Sequence, residues 1–358
     1  MICINNQNDL NKITTDIKSL IMYTVDDKLN LNFESYTNLT FLKINNFPRY
    51  KKNININIKS PHIKNIICNS NSINKIIQLP DNLQTLKFND NFVSELPILP
   101  NSLIQLEFSK NYIVDLTNLH MLTNLKILKC SFNARTYTID NYRYYETYDI
   151  ELIGFTNIHL PPNIINLEMS NCCLKDIKFV EILEHLEILK INSNQISDLN
   201  LKSNTQLKIL EFQGNKISNI DYYPKSIEII KCSYNNLLEL NNLPPKLKIL
   251  YCTFNYITQL DNLPCGLNIL VCGGNKITRL DNLPSGLIKL DVGHNQLLNL
   301  DNLPSSLQIL IILSNPLDKL NNLPVHLTKL KIFKCKNIKK LENIPKNIKI
   351  INTNILLE

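Results

Sequence analysis

Cys232, Cys252 and Cys272 stand twenty residues apart, a spacing that chemistry could use if each fell on a neighbouring layer of the fold. Three stacked thiols would be the makings of a metal or redox cluster. The other cysteines argue against that use. No Cys-x-x-Cys pair occurs, and Cys172 and Cys173 are adjacent rather than bracketing. Cys68 and Cys130 fall at the same core-facing slot of the repeat as the three spaced cysteines, and a free thiol packs well as a small core side chain in a reducing compartment. Packing is the expectation for them, with no metal and no cofactor. The histidines (His62, His120, His159, His185, His294 and His326) are scattered over different slots. Only His294 is expected near an open sheet face, with Asp291 in the same strand, and no nucleophile completes a triad. Gly273-Gly274 follows a predicted strand and opens no helix, so it is no phosphate loop. No catalytic residue is expected, and the chain reads as a non-enzyme.

Charge is the remaining chemical signal. The chain has 38 Lys+Arg against 31 Asp+Glu, a formal net charge of +7. Residues 325–358 carry +6 of it, leaving a near-neutral remainder. A polyanion, nucleic acid or an acidic membrane surface, could use such a patch through Lys331, Lys334, Lys336 and Lys340. Arg is absent there, Phe333 is the one aromatic, and no nucleic-acid-binding motif occurs. Those features argue against nucleic acid and for a solubilising last coil.

What must position these groups is a repeat. Residues 247–264 read LKILYCTFNYITQLDNLP, 267–284 LNILVCGGNKITRLDNLP and 287–304 LIKLDVGHNQLLNLDNLP. Copies start at Leu207, Ile227, Leu247, Leu267, Leu287, Leu307 and Leu327, each 20 residues after the last. Looser copies start at Ile63, Leu83, Leu103, Leu125, Ile164 and Leu186. That makes thirteen clear copies and up to sixteen with degenerate ones, two of which begin at Leu39 and Ile348. Apolar residues at positions one, four and six send alternating side chains of a short strand into one interior. Stacked copies then pair their strands in parallel. Position nine is Asn in eleven copies, where a buried amide can satisfy backbone groups of neighbouring coils. Pro three residues before most starts predicts an extended return leg.

The signature L-x-x-L-x-L-x-x-N-x-L resembles the leucine-rich repeat over residues 39–358. The short length and the Leu-Pro closing the unit are similar to the bacterial-type repeats of secreted enteric effectors, and to repeat proteins of AT-rich genomes in amoebae and large DNA viruses. The resemblance implies an α/β-class solenoid, a horseshoe with a parallel concave sheet and a mostly extended convex side. The 22-residue copies from Leu103 and Ile164 resemble the longer intracellular subclass, with one helical turn expected near Phe179–Leu186. Some of the bacterial relatives carry a ubiquitin-ligase domain after their repeats, for which the repeats here leave no room.

Residues 1–38 read as an N-terminal cap with a short helix, since Leu10, Ile13, Ile17, Leu20 and Ile21 follow helical spacing behind Asp9. Residues 134–163 are irregular and Tyr-rich. They read either as a degenerate copy or as an inserted loop, with a slight preference for the copy and a strand over 147–151 as its mark.

The sheet face separates two regimes. Position five reads Lys87, Glu107, Lys129, Glu168, Lys190, Glu211, Lys231, a ladder that neutralises itself. Beyond it the slot becomes Tyr251, Val271, Asp291, Ile311 and Lys331. Phe254, Leu313, Phe333, Tyr234 and His294 stand nearby, and Gly273, Gly274 and Gly293 predict a shallow notch. An exposed apolar strip with aromatic anchors marks a partner site. The expected partner-binding residues are therefore Tyr234, Tyr251, Phe254, Val271, His294, Ile311, Leu313 and Phe333, on the concave face of the C-terminal half. The expected function is a protein–protein interaction scaffold. With no signal peptide and no apolar run long enough to span a bilayer, the expected setting is cytoplasmic, and the effector resemblance extends that to a host cell's cytoplasm.

Overall fold

Burial follows the repeat. In the coil starting at Leu247, the residues Leu247, Leu250, Cys252, Ile257 and Leu260 are at most 2% exposed. Each such side chain contributes roughly 1.5–3 kcal/mol when taken out of water, and no coil can bury its face without a neighbour. Pro264 is buried on the return leg, where its missing N–H leaves no donor orphaned. Its carbonyl accepts the Leu267 N–H at 3.0 Å and starts the next coil, a turn repeated at Pro244 and Pro284.

The computed structural model describes residues 2–3, 11–24, 28–46, 54–133, 154–320, 322–335, 337–338, 340–341, 344–346, 348–351 and 356–357. The chain divides into two compact units, residues 1–174 with 182–186 and residues 175–181 with 187–358. In the first, parallel strands follow in chain order: Ile2–Cys3, Ser19–Thr24, Phe41–Asn46, Asn65–Ile67, Thr85–Lys87, Gln105–Glu107, Ile127–Lys129 and Asn166–Glu168. A smaller parallel sheet joins Lys28–Asn32, Ile54–Lys59 and Ile73–Gln78. In the second unit the order is Ile188–Lys190, Ile209–Glu211, Ile229–Lys231, Ile249–Tyr251, Ile269–Val271, Lys289–Asp291, Ile309–Leu313, Lys329–Phe333 and Lys349–Ile351. Register holds slot against slot, Leu250 opposite Leu270 and Leu270 opposite Leu290. Each unit is a parallel-sheet solenoid of leucine-rich-repeat coils. The described helix is two short 3-10 segments, Thr117–Met121 and Lys178–Val180. They fall in the two 22-residue copies, where a longer return leg and no proline leave room for a turn.

The position-nine asparagines tie coil to coil. Asn275 donates from Nδ2 to the carbonyls of Cys252 (2.9 Å) and Cys272 (3.0 Å), while its Oδ1 accepts the Ile257 N–H at 3.1 Å. Asn91, Asn111, Asn235, Asn255 and Asn295 repeat the pattern. Where cysteine replaces asparagine the thiol still reaches back, Cys172 to the Cys130 carbonyl (3.3 Å) and Cys335 to the Ile312 carbonyl (3.1 Å).

Two expectations give way. The cap helix is absent from the described part of 1–38: Ser19–Thr24 is a strand, paired with Phe41–Asn46. Leu20 and Met22 are buried and Ile21 is 47% exposed, a period of two. One short isolated helix is marginal, whereas a strand beside Phe41–Asn46 gains a full ladder of hydrogen bonds. Leu10 lies outside the described residues. The preference for a degenerate copy in 134–163 is also overturned. Ile127–Lys129 pairs directly with Asn166–Glu168, so the sheet steps between these coils with no strand between them. Residues 134–153, with the expected strand over 147–151, lie outside the described residues.

Candidate functional site

The conformation that places the side chains of the C-terminal coils recurs at one slot. Position eight, just after each strand, has φ between 50° and 69° in all thirteen clear copies. This left-handed region suits Gly, Asn and Asp, and costs roughly 1–2 kcal/mol for other residues. Gly214, Gly274, Asn171 and Asp90 meet that demand, while Phe132, Tyr234 and Phe254 meet it with bulky rings at φ 60°, 58° and 52°. Strain of this kind is a pointer to function when nothing in the packing requires the side chain. Asn242, Asn262, Asn282, Asn302 and Asn322, before each Leu-Pro, take the same conformation at position sixteen.

Phe254 stacks on Tyr234 with ring centroids 4.6 Å apart and planes 16° from parallel. Its other side lies against Gly274, where an added Cβ would come within 2.7 Å of the ring. The glycines therefore make no open notch: at Gly273 an added Cβ would meet the Gly293 carbonyl at 2.9 Å. Both rings are about half exposed. Beside them Tyr256 is 46% exposed and carries the Lys276 ammonium 5.0 Å from its ring centre.

The expected partner residues thus fall into two lanes. Tyr234, Phe254 and His294 form an exposed rim after the strands, while Tyr251, Ile311, Leu313 and Phe333 are half-buried on the sheet face. Val271 is 7% exposed and offers little surface, a correction to its place among the exposed contacts. It sits in the ladder between Tyr251 and Asp291, flanked by a side chain on each side. Asp291, in the strand before His294, accepts the Gly293 N–H at 3.1 Å.

The charge ladder is present where the sequence places it. Lys87–Glu107 and Lys129–Glu168 pair at 3.2 Å in the first unit, and Lys231–Glu211 at 2.9 Å in the second. A second ladder at position two escaped the sequence reading, with Lys208–Glu187 at 2.9 Å and Lys248–Glu228 at 2.7 Å. The Lys248 hydrogen bond holds the Glu228 carboxyl below its ordinary range. Position two then continues as Asn268, Ile288, Gln308 and Thr328, so both ladders stop by Lys248.

The cysteine column is core. Burial pushes the Cys68 thiol up to about 12 and raises those of Cys232, Cys252 and Cys272 well above the usual range. Such thiols stay protonated and do not bind metal readily. Among the described residues no cluster of three or more His, Cys, Asp or Glu could hold a metal ion. A polar groove of about 520 Å³ in the first unit touches His62, Lys64, Asn82 and Ser102. Its Asn82 and Ser102 are already engaged with the Pro61 and Leu83 carbonyls. Of the C-terminal lysines, Lys331 is half-buried on the sheet and Lys334 is exposed, 5.6 Å from the Phe333 ring centre. Lys340 falls in the strand Lys340–Leu341, and Lys336 lies outside the described residues. No described helix is long and apolar enough to cross a membrane.

No protein-family model matches the sequence, and no curated protein matches it. Solved structures do. The functional domain of InlJ from Listeria monocytogenes, which includes a cysteine ladder, is 20% identical; the match covers 86% of this chain and 67% of that one, with a TM-score of 0.66. YopM, a leucine-rich effector protein from Yersinia pestis, is 24% identical over 81% of this chain and 83% of its own, with a TM-score of 0.65. A plant peptide hormone receptor, RGFR1, solved in complex with RGF2, is 17% identical over 92% of this chain and 59% of its own, at 0.55. At these identities the likeness speaks for the fold alone: the chain is a leucine-rich-repeat solenoid of coils about twenty residues long.

Proposed function

We propose that this chain is a non-enzymatic protein-interaction scaffold, which binds a protein partner through the sheet face and rim of its C-terminal coils. The observation that carries the reading is the end of both charge ladders by Lys248, followed by half-exposed Tyr251, Ile311, Leu313 and Phe333 in three of the five coils from Leu247 onward. Self-paired ladders leave little for a partner to gain, whereas an apolar strip gains by being covered. A plant receptor of the same fold holds a peptide hormone, which is compatible with this use of the surface. Seven buried free thiols fit a reducing, cytoplasmic setting.

Affinity capture with the wild-type chain and a Tyr251→Asp, Ile311→Asp double variant tests the reading. The variant should keep its circular dichroism spectrum and lose the captured proteins; unchanged capture would overturn the reading. A second reading, polyanion binding through Lys331, Lys334, Lys336 and Lys340, rests on the +6 held by residues 325–358. It predicts nucleic-acid or acidic-vesicle binding that falls steeply with salt and disappears on reversal of those four charges.

A further inference from the structure

We propose that the rim of the C-terminal coils, from Tyr234 to Lys334, takes an acidic peptide segment with apolar side chains, laid along the stack; this names the partner class for the protein-binding reading and rests on it. Three observations converge. The first is ring orientation. Both faces of Phe254 are occupied, one by Tyr234 at 4.6 Å and one by Gly274, and the face of Tyr256 lies under Lys276. What Phe254 shows to solvent is chiefly its edge, the positive end of the aromatic quadrupole, which attracts carboxylates. Stacking of nucleic-acid bases needs free faces, so the same geometry disfavours a single strand.

The second is charge. The ion pairs of the second unit include Lys208–Glu187, Lys231–Glu211, Lys248–Glu228 and Arg279–Asp281. None of these four involves Lys276, Lys331 or Lys334; Lys276 and Lys334 lie against the Tyr256 and Phe333 rings, contacts that leave ammonium N–H groups for an incoming carboxylate. In the coils from Leu247 to Lys334, the carboxylate on the sheet lane is Asp291, and it is engaged with the Gly293 N–H. The third is backbone. Tyr234 and Phe254 hold a left-handed conformation that Gly, Asn or Asp would hold with less strain, as Phe132 does in the first unit, and they stack coil on coil with their rings outside the core.

Neighbouring coils repeat at about 4.8 Å, so the five steps from Tyr234 to Lys334 span roughly 24 Å, the length of about seven extended residues. Acidic residues would meet Lys276, Lys334 and the ring edges. Apolar ones would settle toward Leu313 and Phe333.

The test is selection of random nine-residue peptides displayed on phage against the immobilised full chain. A selected peptide is then synthesised and titrated by fluorescence polarisation. Enrichment of Asp and Glu together with Leu, Ile, Phe or Tyr is expected. Affinity should fall at least tenfold in Lys276→Glu and in Phe254→Asn, and a peptide with Lys in place of one acid should recover part of the loss in Lys276→Glu. Phe254→Asn should fold, because Asn171 already occupies the same slot. Neutral or basic consensus peptides, no enrichment, or acidic peptides indifferent to both variants would each overturn the proposal. So would fifteen-residue oligothymidylate binding that Phe254→Asn abolishes, which would give the rim to single strands. Peptides lost only in Tyr251→Asp, Ile311→Asp would overturn the rim assignment and leave the protein-binding reading standing.

Discussion

The coils from Leu83 to Glu168 and those from Leu247 to Phe333 share every buried slot and differ in what they show to solvent. In the earlier set, the open slot alternates lysine and glutamate, and Lys87–Glu107 and Lys129–Glu168 close on one another at 3.2 Å. In the later set the same slot holds Tyr251, Asp291 and Ile311 half-buried, and no lysine–glutamate alternation continues along it. The buried slots answer to packing and backbone satisfaction, which are the same in every coil, so they repeat. The open slot answers to those demands only weakly. Where it pairs internally it needs nothing else. Where the pairing stops, the proposed partner would supply the constraint.

If that division is right, variants in the shared scaffold should act alike in both sets, and variants in the open slots should not. The largest stability effect belongs to the asparagine column. Asn275→Ala strands the Ile257 N–H and takes a donor from the Cys252 and Cys272 carbonyls. A buried polar group left unsatisfied costs about 1–3 kcal/mol, so urea unfolding should show a loss of about 3 kcal/mol. Asn111→Ala should lose a similar amount, since Asn111 bonds the Phe88 and Phe108 carbonyls in the same way. Unequal losses would break the claim of a common scaffold.

A smaller effect separates the sets by pH. Burial on its own would raise the Glu107 carboxyl, but the Gln105 amide, the Lys87 ammonium and the Asn89 amide outweigh it and hold it below 4.5. A depressed folded value contributes stability above the ordinary value, and that contribution is lost as pH falls through the folded one. Glu107→Gln should therefore cost about 0.5–1 kcal/mol at pH 7, in the range of partly exposed ion pairs. The gap to wild type should close in acid, as followed by urea unfolding at pH 7 and pH 3. A gap independent of pH would mean the ladder does not act through charge.

The smallest perturbation leaves the fold untouched. Cys265 is exposed and Cys173 partly so, while Cys232, Cys252 and Cys272 are fully buried. Titration with Ellman's reagent at pH 8 should modify Cys265 first and leave the buried column unreacted until denaturant is added. Fast reaction of Cys252 would show a core looser than its burial implies.

The fold was legible because its cause is periodic. Leu250, Leu270 and Leu290 stand in one slot by sequence and pair in register in space. The asparagine at position nine was legible for the same reason, since amide and backbone must meet once per coil. The cap was misread because Leu20 and Ile21 fit a helical period locally, and only the neighbouring strand Phe41–Asn46 selects the extended form. The position-two ladder was missed because Glu187, Lys208, Glu228 and Lys248 lie outside the apolar pattern that set the alignment.

What the sequence alone determined was the coil: its length, its buried slots, its thiols as core, and the point where the position-five charges stop alternating. These follow from hydrophobic burial and backbone hydrogen bonding, which act on residue type at fixed spacing. What only the tertiary structure decided was orientation. That Val271 is covered, that Phe254 sits between Tyr234 and Gly274, and that these two rings occupy a rim rather than the sheet depend on φ at position eight and on side chains one coil away. Those quantities are set across coils, by contacts between residues twenty positions apart, and residue type within a single coil does not specify them.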